Sequence, residues 1–109
     1  MEFKVKYSDC DSYRVVHNSN YIAWFEDALY SQICDNEQLK TEIIISKIRC
    51  RYLQAVKYNS IVFIKTKISK IAENNYSFRQ ELVDRITNRT MVISMGEYMI
   101  GETYESFSS

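Results

Sequence analysis

The sequence predicts an α+β fold: a curved, mostly antiparallel five-stranded sheet wrapped around one central helix. Three observations carry that expectation. Residues 20–34 repeat apolar side chains at helical spacing and are apolar enough to be enclosed rather than laid on a surface. Four later segments, and one before the helix, alternate with the period of two that marks half-buried strands. One apolar helix is then the available cover for the sheet's apolar face, and a sheet curled around it is the economical arrangement.

Each element has its own warrant. Phe3, Val5 and Tyr7 alternate with charged residues and predict a first strand. Asn18, Ser19 and Asn20 are N-cap residue types, because their short polar side chains accept from free helical N–H groups. Behind them Ile22, Phe25, Leu29 and Ile33 follow helical spacing, thickened by Tyr21 and Trp24. Residues 42–53 place Ile44, Ile48, Cys50 and Tyr52 on one face and Lys47, Arg49 and Arg51 on the other. Residues 60–71 set Val62, Ile64, Thr66 and Ile68 against Ile61, Phe63, Lys65 and Lys67. Residues 76–84, with Tyr76, Phe78 and Leu82 on one side, and the Met-, Val- and Ile-rich residues 89–100 complete the sheet. The chain has no proline and only Gly96 and Gly101, so its turns must fall on Asn, Asp and Ser clusters.

A chain of 109 residues predicts a single domain, 1–109, that buries roughly 65% of its unfolded surface. Fourteen basic and fourteen acidic residues balance, which gives no support to a dedicated nucleic-acid binder but leaves room for a local basic patch. Cys10, Cys34 and Cys50 are an odd set without paired spacing, so no disulfide framework is expected. With one histidine, the ligands for a structural metal are lacking, and no metal or cofactor is expected. The start of the chain lacks a signal-like apolar stretch, and no run approaches a membrane span, so a cytoplasmic location is expected.

The chemistry concentrates between the first strand and the helix. Asp9 and Asp11 lie in a polar loop that leads into the helix N-terminus. A carboxylate there can attack a carbonyl or activate water, while free N–H groups at the helix start receive the developing oxyanion. Asp is equally a standard turn residue, and the residues alone leave that role open.

The same stretch carries a resemblance. Asp9-Cys10-Asp11, Val15-Val16, Asn18, Tyr21, Trp24-Phe25-Glu26 and Ala28 closely resemble the signature of the 4-hydroxybenzoyl-CoA thioesterase family of hotdog proteins, with ungapped spacing from the second Asp to Tyr21. Residues 51–60 resemble a further landmark of that family, an Arg-Tyr-Leu run before a turn. The resemblance implies a hotdog fold and hydrolysis of an acyl-CoA or acyl-carrier-protein thioester. It implies a homodimer or homotetramer with the site at a subunit interface. Residue by residue it implies Asp11 as nucleophile or general base, and the backbone N–H at Asn18 as oxyanion donor. Tyr21 and Trp24 would pack in the core or line the acyl pocket, with His17 beside them as a substrate contact.

Other residues are weighed against that frame. Asp9 is expected to shape the loop and Cys10 to pack. Glu26 matches a helix position that other hotdog branches use catalytically, with an ion-pairing role as the plainer expectation. Lys47, Arg49, Arg51, Lys57, Lys65 and Lys67 are available to coenzyme A phosphates. The chain departs from the family at Arg14, where a Gly is usual, and over residues 34–41, which are shorter than typical. Two other functions stand beside hydrolysis: a non-catalytic acyl-binding or assembly protein, and a carrier-protein dehydratase, for which His17 and Glu26 are the available pair.

Overall fold

The computed structural model describes residues 1–36 and 42–101. Chain order is β1 (Glu2–Lys4), a single 3-10 turn (Tyr7–Asp9), α1 (Asn18–Asn36), then β2 (Glu42–Tyr52), β3 (Ile61–Ala72), β4 (Asn75–Asp84) and β5 (Thr90–Gly101). The strands form one antiparallel sheet in the order β1-β3-β4-β5-β2. Short β1 and long β2 are therefore the two edges.

The helix packs on one face of this sheet. Tyr21, Phe25, Ala28, Leu29 and Ile33 are all buried, and they recur every three or four residues as a single stripe must. The residues around the stripe come from every strand: Phe3 from β1, Val62 and Ile64 from β3, Leu82 and Phe78 from β4, Val92 and Tyr98 from β5, and Cys50, Ile43 and Ile45 from β2. The core falls into two apolar clusters, one nearer the Asp loop and one at the far end of the helix. Between them runs a row of polar side chains in register across four strands: Thr66, Gln80, Ser94 and Cys50. Gln80 is fully buried, and its Nε2 donates to the Phe25 carbonyl at 2.8 Å and to Thr66 Oγ1 at 3.2 Å, tying helix to sheet.

The predicted layout stands, with four local differences. First, β1 is three residues long. Beyond it Val5 still exchanges backbone bonds with Asn59 and Ser60, but Tyr7 turns into the 3-10 turn and lies exposed against Tyr58. Second, the helix begins at Asn18 and its deepest first position is Tyr21, with Ile22 only half-buried. Third, a bulge between Ile45 and Lys47 breaks the alternation of β2. An extra residue flips every side chain before it to the other face. Ile43 and Ile45 therefore pack in the core, and Ile44 lies exposed opposite Met99 rather than beside Ile48 and Cys50. Fourth, residues 37–41 of the short segment after the helix lie outside the described residues.

Turns follow the expected logic. Among the described residues, four non-glycine positions have positive φ: Arg14 (63°), Asn59 (74°), Asn74 (59°) and Asn88 (59°). Asn tolerates that region because its short side chain bonds locally. Glycine serves a different purpose at Gly96. A Cβ there would run into the Lys47 carbonyl displaced by the bulge and would sit 2.7 Å from Phe78 Cζ. Gly96→Ala is expected to lower stability by about 1–3 kcal/mol, the usual cost of forcing extra carbon into a packed site, read as a lower midpoint in urea unfolding.

Candidate active site

Residues 10–16 form a tight loop clamped on both sides. Cys10 and Val16 bridge one another across it, and Val15 bridges Lys57. Val16 N donates to the Val56 carbonyl at 2.9 Å, and Tyr58 N to the Arg14 carbonyl at 2.9 Å. The clamp fixes the loop on the segment between β2 and β3.

Asp11 organises this loop. Its backbone N–H donates to the Val15 carbonyl at 2.9 Å, and its carbonyl accepts from Arg14 N at 3.0 Å. Its Oδ1 accepts from Tyr13 N at 2.8 Å and from Val15 N at 3.3 Å. One carboxylate oxygen is thus held by two backbone donors, and among the described bonds Oδ2 has no donor. The side chain is half-buried, so its direction is fixed while one oxygen remains open to a reactant.

Asp9 has a different role. Its Oδ2 accepts from Lys6 N at 2.9 Å within its own turn. Its carbonyl accepts from His17 N at 3.0 Å and from Asn20 Nδ2 at 2.9 Å, which seats the first turn of the helix. Asp9 positions the helix start with its backbone and shapes the loop with its side chain.

The first helical residue, Asn18, opens a recess of about 200 Å³, lined also by Val15, Val16, Tyr21, Tyr52 and Leu53. The first N–H groups of a helix have no partner one turn back, and the first turn of α1 carries no acidic side chain to neutralise its positive end. Tyr21 is buried beneath the recess, and its hydroxyl accepts from Val56 N at 3.2 Å. Burial pushes its pKa up, so it stays a neutral phenol.

The remaining residues separate. Trp24 is half-buried edge-on to Phe3, with ring centroids 4.7 Å apart, and to Tyr21 at 5.9 Å; it packs in the core and does not line the recess. His17 is exposed, just ahead of the helix, and is likewise not part of the recess wall. Glu26 is exposed on the helix, nine residues beyond His17, about 13 Å along the axis, so the two do not meet within one protomer. Cys10 packs against the core with Sγ 3.6 Å from the Lys6 carbonyl. Burial, then the charges of Asp9 and Asp11, push its pKa up, which opposes thiolate chemistry. Of the basic residues, Lys57 stands beside the loop, whereas Lys47, Arg49, Arg51, Lys65 and Lys67 lie on the sheet face turned away from the helix. Reading the sequence missed Tyr52 and Leu53 as walls of the recess. The signal was present in the alternation of β2, which ends with Tyr52 on the helix side.

Arg14 sits at the turn of the loop with φ 63°, in the region glycine adopts freely. Its guanidinium is exposed. Arg14→Gly is expected to raise stability by about 1 kcal/mol by removing left-handed strain, visible as a higher thermal midpoint. An unchanged or lower midpoint would mean that the Arg side chain contributes more than the strain costs.

Comparison with known proteins follows the same lines. Residues 5–104 match the family model of the Thioesterase-like superfamily. No curated protein sequence matches the chain. Among solved structures, a gentisyl-coenzyme A thioesterase superposes with a TM-score of 0.80 at 19% identity, covering 92% of this chain and 85% of that one. A DHNA-CoA thioesterase from Staphylococcus aureus gives 0.77 at 20%, covering 92% and 71%. A hypothetical protein from Staphylococcus aureus, solved in complex with CoA, gives 0.85 at 12%, covering 96% and 70%. At these identities the likeness establishes the hotdog fold.

Proposed function

This chain belongs to the Thioesterase-like superfamily, and from that premise we propose that it hydrolyses an acyl-CoA thioester to the free acid and coenzyme A. The observation that carries the proposal is the half-pinned carboxylate of Asp11, held by Tyr13 and Val15 N–H groups in a loop that leads directly into a helix N-terminus whose first turn carries no acidic residue. The narrower kinship with 4-hydroxybenzoyl-CoA thioesterases rests on the motif from Asp9 to Ala28.

In the general-base route, Asp11 takes a proton from water as the water oxygen bonds to the thioester carbonyl carbon. The carbonyl electron pair moves onto oxygen, which faces the Asn18 N–H. That oxyanion collapses, the C–S bond breaks, and the coenzyme A thiolate leaves and takes the proton. In the nucleophilic route an Asp11 oxygen attacks the same carbon first, the C–S bond breaks and coenzyme A leaves as thiolate. Water then cleaves the resulting anhydride to the free acid, restoring the Asp11 carboxylate and giving a proton to the thiolate. Both routes need Oδ2 in the same place. Lys57, beside the loop, is the basic residue best placed to meet a coenzyme A phosphate. No metal or redox cofactor enters either route.

The recess is smaller than the roughly 300–1,000 Å³ of complete small-molecule sites. One of its walls, Tyr52, ends β2, an eleven-residue edge strand with exposed Ile44 and Ile48. A long apolar edge is a template for pairing with another chain. Pairing of β2 with a second copy would bury that edge and complete the recess, so the proposed unit is a dimer, alone or within a tetramer, working in the cytoplasm.

Loss of thioester absorbance, followed over short, long and aromatic acyl-CoAs, tests the activity. Asp11→Asn, still folded, is expected to lose about 10²–10⁴ in rate, the usual contribution of a positioned acid or base. Full activity in that variant would remove Asp11 from the chemistry, and an inactive wild type would favour an acyl-binding protein. His17→Ala is expected to change hydrolysis by no more than about twofold, as for an ordinary exposed residue, whereas a dehydratase would fail without it. Sedimentation equilibrium is expected to show at least two copies, and Ile48→Glu to release monomers with reduced hydrolysis. A fully active monomer would overturn the interface site.

A further inference from the structure

The sheet face turned away from the helix carries charge that hydrolysis does not use. Strand register places Lys65, Glu81, Ile93 and Arg51 in one row, Lys67, Arg79, Met95 and Arg49 in the next, and Ser69, Ser77, Glu97 and Lys47 in a third. Six cations stand against two carboxylates, a surplus of four, on a chain whose formal net charge is zero. Both carboxylates are engaged: Glu97 pairs with Lys47 at 3.4 Å, and Glu81 accepts from Thr90 Oγ1 at 3.2 Å. The middle row contains three cations and no carboxylate.

A cleft of about 960 Å³ is lined by Lys47, Arg49, Lys67, Arg79, Met95 and Glu97, with Ser69 and Ser77 at one side. Its size falls at the upper end of small-molecule sites. Arg79 is held across it by its Nη1, 3.5 Å from Met95 Sδ. Adjacent strands are about 4.8 Å apart, so Lys67 and Arg79 are neighbours and Arg49 stands about 10 Å further on, a gap their long side chains can close onto one polyphosphate. Guanidinium groups match phosphate oxygens in bidentate fashion.

We propose that this cleft is a second site, separate from the thioester recess, that binds a nucleoside polyphosphate: its phosphates on Lys67, Arg79 and Arg49, and its base against Met95. The cleft shares no residue with the recess beside the loop and lies on the opposite face of the sheet from Cys50 and Tyr52. A second copy of this chain is a poor occupant, because a two-fold contact would set the cationic row against itself. The proposal stands on the sheet face alone and does not depend on Asp11 or on the reaction.

Titration calorimetry with metal-free ATP, in EDTA and low salt, tests it on the full chain. Wild type is expected to bind ATP more tightly than tripolyphosphate, because the base adds contacts, and to weaken as salt rises. Arg79→Glu, and the milder Arg79→Gln if the first fails to fold, are expected to weaken ATP binding at least tenfold and about threefold respectively. Glu97→Gln removes the cleft's carboxylate and is expected to strengthen binding. Asp11→Asn is expected to bind ATP as wild type does, and Arg79→Gln to hydrolyse thioesters as wild type does. ATP binding no tighter than sulfate, or unchanged in both Arg79 variants, overturns the proposal. Tighter binding of a single-stranded oligonucleotide or of an acidic protein than of ATP overturns it in favour of a macromolecular surface.

Discussion

Burial of one stripe on α1 is the constraint on which the rest of this fold depends. Tyr21, Phe25, Ala28, Leu29 and Ile33 leave water together, and side chains of all five strands close around them. Full burial of each large member contributes about 1.5–3 kcal/mol, so the stripe outweighs any single polar contact in the chain. Gln80 then fixes the helix along its axis by bonding the Phe25 carbonyl, a specific length of reach that apolar packing alone does not set. Tyr21 joins this core to the loop through its hydroxyl on Val56 N, and Val56 also holds Val16. The helix start and the Asp11 loop are therefore positioned by the same residues that stabilise the fold.

Much of this was legible because periodicity reports burial directly. The helix, the four later strands and the inward faces of β3 and β4 follow from apolar spacing. The errors occur where one residue alters the phase. The extra residue near Ser46 moves Ile44 outward, and nothing in the local sequence marks it, because Ile43, Ile44 and Ile45 satisfy either phase. Ile22 and Tyr21 are likewise adjacent apolar residues, and the structure buries Tyr21, whose ring meets Tyr52 and whose hydroxyl accepts from Val56 N. In the row of Thr66, Gln80, Ser94 and Cys50, the members on β4 and β5, Gln80 and Ser94, were not legible as core. Polar residues at inward positions read as surface until cross-strand register stacks them.

The candidate site was legible in part for a different reason. A motif specifies residue types and spacing, and both survive translation into a loop and a helix start. It does not say which carboxylate oxygen is free. That depends on the backbone donors at Tyr13 and Val15, and those depend on the turn at Arg14. Arg14 departs from the expected glycine yet keeps the left-handed geometry, so backbone shape is retained at this position while local strain rises. Trp24 shows the converse. An aromatic residue on the helix next to the site is recruited by Phe3 into the core, because its partner lies on a strand far away in sequence.

Charge arranges the same sheet for two opposed ends. Along its edge, β2 offers unpaired backbone groups together with exposed Ile44 and Ile48, and such an edge gains by meeting its own copy. Across its outer face, Lys67, Arg79 and Arg49 stand in one row without a carboxylate, and such a face loses by meeting its own copy. Self-association through the edge leaves the charged face outward on both copies. The cationic rows of two protomers would then extend along a single continuous sheet, and each would reinforce the attraction of the other for an anion within about a Debye length. A chain with no net charge thereby presents a strongly signed surface. That surface arises from the period-two alternation that buries the core, which places six of the chain's fourteen cations together on the face the helix does not cover.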